Sequence, residues 1–110
     1  MELILRALDG VGTESLINKI IKDVSNKKFE TWEVFTQNKK IYLKHTNQWG
    51  ERGVVNLKLF RFLKPKLRAN ILPFEGIENK LVDFEDPYLY SFYELIVNNY
   101  ATFISSIDIK

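Results

Sequence analysis

Apolar residues in the first third of the chain follow two different periods. Residues 3–8 are apolar on both faces of an extended chain, which predicts a strand inside a sheet. A glycine-containing turn follows, and Thr13 is the expected N-cap of a helix. The apolar positions of this helix fall on one stripe, made of Leu16, Ile17, Ile20, Ile21 and Val24. The pattern therefore predicts a strand followed by an amphipathic helix.

The middle of the chain is rich in β-branched and aromatic residues and is divided by turn-forming segments. This composition and spacing predict an antiparallel meander of four strands. The phase of the apolar positions shifts in residues 60–63, where we expect a bulge, and residues 81–84 are a candidate short edge strand. The four predicted strands of the meander cover residues 29–36, 41–45, 54–63 and 67–72.

The last part of the chain has the pattern of a second helix. Asp86 is a carboxylate suited to the N-cap, and Pro87 suits the first helical position. From Leu89 to Ile104, apolar residues recur every three or four positions, which predicts a helix of about 20 residues. The resulting order, β-α-β-β-β-β-α, predicts a single α+β domain over residues 1–110. In it, two amphipathic helices pack on one face of a mainly antiparallel sheet as a two-layer sandwich.

The composition limits the class of protein. The chain has 110 residues, of which 45% are hydrophobic and 14% aromatic, and it has no cysteine. It can form one hydrophobic core but is too short for two full domains. Without cysteine there is no disulfide framework, no cysteine-based zinc site and no thiol nucleophile. The N-terminal residues lack the pattern of a signal peptide and no apolar run is long enough to span a bilayer, so we predict a cytoplasmic protein.

The net charge of +2 conceals a segregation of charge along the chain. Residues 39–68 carry nine basic side chains against one acidic side chain, a net charge of +8. Residues 75–110 carry seven acidic side chains against two lysines, a net charge of −5. The function therefore depends on which of these two segments forms a binding surface.

Catalytic chemistry has little support in the sequence. His45 is a candidate general base for a nuclease, but no second acid or base is evident near it. Asp83, Glu85 and Asp86 could offer oxygen ligands to a divalent cation, but they lack the spacing of a calcium loop. The loop at residues 9–13 lacks the motifs of nucleotide-binding loops. We therefore predict no enzyme, no catalytic residue, no metal and no cofactor. A metal-assisted or His45-dependent nuclease ranks third, after the two binding functions described below.

The acidic segment combines carboxylates with tyrosines between residues 75 and 94. Carboxylates steer the approach of a basic protein, and tyrosine rings supply buried contact area. The tryptophan in the polar, glycine-flanked loop at residues 47–53 either folds back onto the sheet or projects towards a partner, and we expect it to project. The predicted partner-binding residues are Glu75, Glu78, Asp83, Glu85, Tyr90, Tyr93, Glu94 and Trp49.

In size, composition and charge placement, the chain is similar in type to the cytosolic immunity and inhibitor proteins of bacterial toxin systems. These are often single α+β domains without catalytic residues that cover the basic active cleft of a nuclease. The likeness rests on no sequence motif. It implies a non-enzymatic protein, monomeric or weakly dimeric, that binds and neutralises a basic partner such as a toxin or nuclease domain.

The basic segment favours an alternative function, the binding of RNA or single-stranded DNA. Lysine and arginine on the surface of a sheet can follow a phosphate backbone while aromatic rings between them stack on bases. The pattern is not specific, because lysines at turns and strand edges also serve ordinary solvation. The residues predicted for this surface are Lys44, Arg52, Lys58, Arg61, Lys64, Lys66 and Arg68.

Overall fold

The computed structural model describes residues 1–61, 64–75 and 84–110, which form six strands and two α-helices. The predicted bulge and the predicted short edge strand fall largely outside these residues. A 3₁₀ turn, Ala101–Phe103, connects the second helix to the last strand. In chain order the elements are β1 (Leu3–Ala7), α1 (Thr13–Ser25), β2 (Trp32–Gln37), β3 (Lys40–His45), β4 (Gly53–Phe60), β5 (Lys66–Pro73), α2 (Glu85–Tyr100) and β6 (Ile104–Ile109).

The strands form one antiparallel sheet with the order β2-β3-β4-β5-β1-β6. β2 to β5 are neighbours in sequence order, which confirms the predicted meander. β1 lies between β5 and β6, so that Leu5 is opposite Leu67 on one side and Ile107 on the other. The interior position expected for β1 is therefore confirmed.

Both helices pack on the same face of the sheet. Side chains alternate between the two faces of a strand, so Leu3 and Leu5 of β1 share the covered face with Leu43 of β3 and Val55 of β4. α1 adds its predicted apolar stripe, in which Ile20 is fully buried. The fold is the predicted two-layer α+β sandwich, and the opposite face of the sheet is left uncovered by either helix.

A hydrogen bond joins the two helices. The Tyr100 hydroxyl at the end of α2 donates to the carboxylate of Asp23 in α1 at 2.7 Å. This hydrogen bond is the main reason why the pKa of Asp23 lies below its usual range. Burial raises the pKa of Tyr100, so its hydroxyl keeps the proton that it donates. The ring of Phe29 packs edge-on against Tyr100, with centroids 6.2 Å apart, and extends the core beyond α1.

The C-terminal helix is shorter than its apolar spacing predicts, and a sixth strand follows it. α2 ends at Tyr100, and Ile104–Ile109 forms β6 beside β1. This pairing satisfies backbone N–H and C=O groups along the second edge of β1, which would otherwise be unpaired. The tertiary pairing outweighs the helical spacing of Phe103 and Ile104, which is why the prediction of a helix of about 20 residues is wrong.

The predicted helix caps also differ from those in the structure. Gly12, with a φ of +84°, holds the N-cap position of α1, and Thr13 is the first helical residue. The Thr13 hydroxyl donates to the carbonyl of Pro65 at 3.4 Å rather than capping the helix. Phe84 holds the N-cap position of α2, so Asp86 lies in the first turn. Its negative charge there still favours the helix through the dipole.

Candidate functional site

The outer side of α2 carries carboxylates and tyrosines together. Asp86, Tyr90 and Glu94 are spaced four residues apart, so they lie above one another along the helix. Tyr90 is 48% exposed, and the half-buried Tyr93 packs edge-on against it with ring centroids 6.4 Å apart. α2 contains no lysine or arginine. We call Asp86, Tyr90, Tyr93 and Glu94 the acidic tyrosine face.

The other predicted partner-binding carboxylates are spread over different parts of the chain. Glu85 is partly buried in the first turn of α2, and Glu75 is exposed shortly after the end of β5. Glu78 and Asp83 lie outside the described residues. Of the predicted set, the structure therefore brings Tyr90, Tyr93 and Glu94 onto one surface.

Trp49 folds back onto the sheet rather than projecting from it as expected. The ring is half-buried against the hydrophobic core, and its indole Nε1 is buried. The N–H of Arg52 donates to the carbonyl of Trp49 at 3.0 Å and closes the turn. The sequence of this loop does not distinguish the two orientations, because both suit a polar, glycine-flanked turn. The core supplies the apolar contacts that favour the inward one.

Tyr88 fastens the loop between β3 and β4 to α2, a role that the sequence did not reveal. Its buried hydroxyl donates to the carbonyl of Gly53 at 2.9 Å and accepts from the backbone N–H of His45 at 3.1 Å. Burial raises the pKa of Tyr88 to about 12, so the hydroxyl remains protonated at neutral pH. The bond therefore fixes the end of β3 and the start of β4 relative to the helix that carries the acidic tyrosine face.

A groove runs beside α2, where residues near the start of β2 approach the end of β3. Its volume is about 270 Å³. Polar side chains of α2 line one wall, namely Ser91, Glu94, Asn98 and Asn99. Aromatic side chains contribute to the other wall, namely Phe29, Trp32 and His45. Glu94 belongs both to this groove and to the acidic tyrosine face, so the two are continuous.

His45 is held in one orientation at the end of β3. Its ring packs edge-on against Trp32, with centroids 5.2 Å apart. Its Nδ1 accepts a hydrogen bond from the N–H of Asn47 at 3.1 Å, which places the proton of the neutral ring on Nε2. Burial lowers the pKa of His45, so the ring is neutral at pH 7.

We expect the protein to lose stability as the pH falls from 7 towards 5. Because burial lowers the pKa of His45 in the folded state, the unfolded chain takes up a proton first, and the free energy of unfolding decreases with falling pH. The slope is at most about 1.4 kcal/mol per pH unit for one proton. Urea denaturation across this range measures it.

The control for this pH dependence is His45→Asn, which has an acceptor for the Asn47 N–H but no titrating ring. His45 is the only histidine in the chain, so the slope should flatten in this variant. A variant with the full slope of the wild type would contradict the assignment.

The open face of the sheet carries a basic cluster around Phe60. The Nζ atoms of Lys58 and Lys66 lie 5.3 and 5.7 Å from the centroid of this ring. The guanidinium carbon of Arg68 lies 5.2 Å from the same centroid. Cations at such distances are attracted to the ring electrons. The ring of Phe60 is therefore already occupied by basic groups of the same molecule.

Two of the open-face cations are also paired with carboxylates. The Nζ of Lys44 lies 3.5 Å from Glu33 and 5.8 Å from the centroid of the Phe35 ring. The Nε of Arg68 lies 3.0 Å from the carboxylate of Glu2. These contacts reduce the positive charge that the open face presents to a ligand.

The remaining predicted basic residues lie away from this cluster. Arg61 forms an ion pair with Glu14 of α1 at 2.9 Å. The guanidinium of Arg52 lies 5.8 Å from the ring centroid of Phe84, beside the start of α2. Lys64 lines a cavity of about 790 Å³ at the turn between β1 and α1. The structure therefore divides the +8 segment among several surfaces, with Lys44, Lys58, Lys66 and Arg68 on the open face.

Comparison with known proteins does not identify the chain by similarity. No protein-family model matches it, and no curated protein or solved structure matches it either. In residues 1–61, 64–75 and 84–110, no helix is long and apolar enough to cross a bilayer. Within those same ranges, no three carboxylate or imidazole groups are placed to hold a metal ion. The function must therefore be inferred from the side chains themselves.

Proposed function

We propose that the protein is a non-enzymatic binding module that recognises a basic protein through the acidic tyrosine face. The observation that carries this proposal is the position of Tyr90. Its ring is 48% exposed, braced edge-on by Tyr93 and flanked by Asp86 and Glu94 one helical turn away on each side. A rigid, exposed aromatic ring of this kind is a typical anchor at protein interfaces.

The carboxylates beside Tyr90 are available to a partner. Among the described residues, neither Asp86 nor Glu94 forms an ion pair, whereas Glu2, Glu14 and Glu33 are each paired with a basic side chain. An unpaired acidic surface accelerates association with a basic protein and disfavours acidic ones. The tyrosines then supply the contact area that is buried in the complex.

The partner class follows from this charge. A nuclease binds a polyanion, so its substrate cleft is basic and is complementary in charge to an acidic face. We therefore propose a small cytoplasmic inhibitor or immunity-type protein that covers the cleft of a basic toxin or nuclease domain.

The test begins with capture of binding proteins from cells that produce the chain. Each captured protein is identified by mass spectrometry and purified, and its affinity is measured by isothermal titration calorimetry. We expect a basic protein that binds with 1:1 stoichiometry. Tyr90→Ala should weaken this complex by about 30-fold, equivalent to about 2 kcal/mol, because Tyr90 is the exposed anchor.

Charge reversal provides a second arm with a matched control. Glu94→Lys should weaken the same complex by tenfold or more, estimated at about 1.4 kcal/mol. Asp108→Lys makes the same change of charge at an exposed position of β6, away from α2, and should leave the affinity unchanged. The proposal is overturned if Tyr90→Ala and Glu94→Lys bind every captured protein as tightly as the wild type does.

A second candidate function is the binding of single-stranded nucleic acid by the open face. The cluster of Lys58, Lys66 and Arg68 around Phe60 favours it. It ranks second because those cations already occupy the ring on which a base would stack. Fluorescence anisotropy with a single-stranded oligonucleotide tests it. Binding that is steeply salt-dependent and lost in Lys58→Glu supports it, whereas no binding at about 50 mM salt eliminates it.

A further inference from the structure

The α2 wall of the groove carries hydrogen-bond acceptors beside amide donors. The Asn99 side-chain amide donates to the carbonyl of Leu95 at 2.9 Å, which leaves its oxygen free to accept. The Ser91 hydroxyl donates to the carbonyl of Pro87 at 3.2 Å, which likewise leaves oxygen lone pairs available. The carboxylate of Glu94 has acceptor atoms only. A ligand group that pairs with Glu94 must therefore be a donor.

The charge of the groove also favours a cation. Among the described residues that line the groove, Glu94 is the only formally charged side chain, because His45 is neutral at pH 7. Lys44 points to the open face of the sheet, where it pairs with Glu33. The Nζ of Lys28 lies 5.6 Å from the centroid of the Phe29 ring in the groove lining and pairs with Asp23 at 3.7 Å. Among the described residues, no basic side chain forms an ion pair with Glu94.

The aromatic side chains beside the groove are held rigidly, and Trp32 is buried. Trp32 is held edge-on by His45 at 5.2 Å and by Phe92 at 5.9 Å, measured between ring centroids. Phe29 contributes a second ring to the lining, and Lys28 of the same molecule already lies over this ring. A guanidinium group is planar, lies well against aromatic rings and carries five donors, whereas a lysine ammonium is a compact point charge with three donors. A carboxylate with amide oxygens close to it matches the planar fork of a guanidinium better than the point charge of an ammonium, and this favours arginine over lysine.

We infer that this groove receives an arginine side chain of the protein partner. The inference rests on the proposed function and deepens it, because Glu94 connects the groove to the acidic tyrosine face. In this arrangement Tyr90 is the anchor on the outer side of α2. The groove, on the adjacent side of α2, binds one arginine side chain of the partner. Its guanidinium donates to Glu94 and to the amide oxygens of Asn98 and Asn99. The acidic tyrosine face thus favours a basic protein, and the groove favours a partner that presents an arginine at this position.

The test uses a single capped amino acid and therefore does not need the partner. Nα-acetyl-arginine methylamide is titrated into the ¹⁵N-labelled protein, and the resonances of the Trp32 indole and the Asn98 and Asn99 side-chain amides are followed. We expect saturable shifts at these groups. The capped citrulline analogue has nearly the same shape without the charge and should bind at least about fivefold more weakly. Capped lysine should lie between the two.

Two matched variants locate the binding site. Glu94→Gln removes the charge inside the groove. It should lower the affinity for capped arginine by about fivefold, which is the upper range for a partly exposed ion pair. Asp108→Asn removes an equal charge at an exposed position of β6, outside the groove and the acidic tyrosine face, and should leave the affinity unchanged. The inference is overturned if capped arginine and capped citrulline shift the groove resonances equally. It is also overturned if both variants lower the affinity for capped arginine to the same extent.

The outcomes also separate this inference from the proposed function. If capped arginine does not bind but Tyr90→Ala still disrupts the captured complex, the groove assignment fails and the proposed function stands. If capped arginine binds in the groove but no basic partner depends on Tyr90, the groove is an arginine site and the proposed function fails.

Discussion

Replacing Tyr88 with phenylalanine is expected to lower the free energy of unfolding by about 2–3 kcal/mol. The hydroxyl donates to the carbonyl of Gly53 at 2.9 Å and accepts from the N–H of His45 at 3.1 Å. The variant leaves both backbone groups without this partner at a site where Tyr88 has no exposed surface. An unsatisfied polar group in such a place costs about 1–3 kcal/mol. Urea denaturation followed by circular dichroism measures the change.

The control is the same chemical change at an exposed position of the same helix. Tyr90→Phe also removes one hydroxyl, but its ring is 48% exposed and water replaces any lost bond. Its effect on stability should remain below about 0.5 kcal/mol. Equal losses in Tyr88→Phe and Tyr90→Phe would show that the Tyr88 hydroxyl does not fasten the β3–β4 loop.

The second large effect is expected from Gly50→Ala, which should cost about 3 kcal/mol. Gly50 is buried, and a Cβ at this position would overlap the carbonyl oxygen of His45. The obstacle is backbone, which cannot move aside as the end of a flexible side chain can. The turn must therefore open, and Trp49 must lose part of its packing against the core. Denaturation midpoints report the first consequence, and the NMR resonance of the Trp49 indole N–H reports the second, because fluorescence would also include Trp32.

Gly10→Ala separates this steric effect from the general cost of replacing glycine. A Cβ at Gly10 meets no atom of the described residues within 4 Å, but its φ of +89° is unfavourable for alanine. The cost of Gly10→Ala should therefore be the conformational strain alone, about 1 kcal/mol. A loss in Gly50→Ala no larger than this would mean that the β3–β4 loop accommodates the methyl group by a small shift.

The C-terminal segment shows where local pattern and tertiary structure disagree. Phe103 and Ile104 continue the helical spacing of α2, yet the chain leaves the helix after Tyr100 and forms β6. Helical spacing records only which residues would share a face if the helix continued. It contains no information on the open edge of β1, about 100 residues earlier in the chain, which β6 covers.

The acidic tyrosine face, in contrast, could be predicted largely from the sequence. Tyr90, Tyr93 and Glu94 lie within one turn of one helix, so their relative positions follow from helix geometry alone. The groove beside them could not be predicted. It joins Trp32 and His45 of the sheet to Glu94 of α2, and only the packing of that helix on the sheet brings them together.

The sequence by itself determined the α+β class, the meander, the interior position of β1 and the segregation of charge, because these depend on local periodicity and composition. The tertiary structure alone decided where the charges lie. Lys58, Lys66 and Arg68 lie on the open face of the sheet, and Asp86 and Glu94 lie on the helix layer. The physical reason is that residues distant in sequence become neighbours only when apolar surfaces pack. A sequence pattern records which surfaces are apolar but not which of them meet.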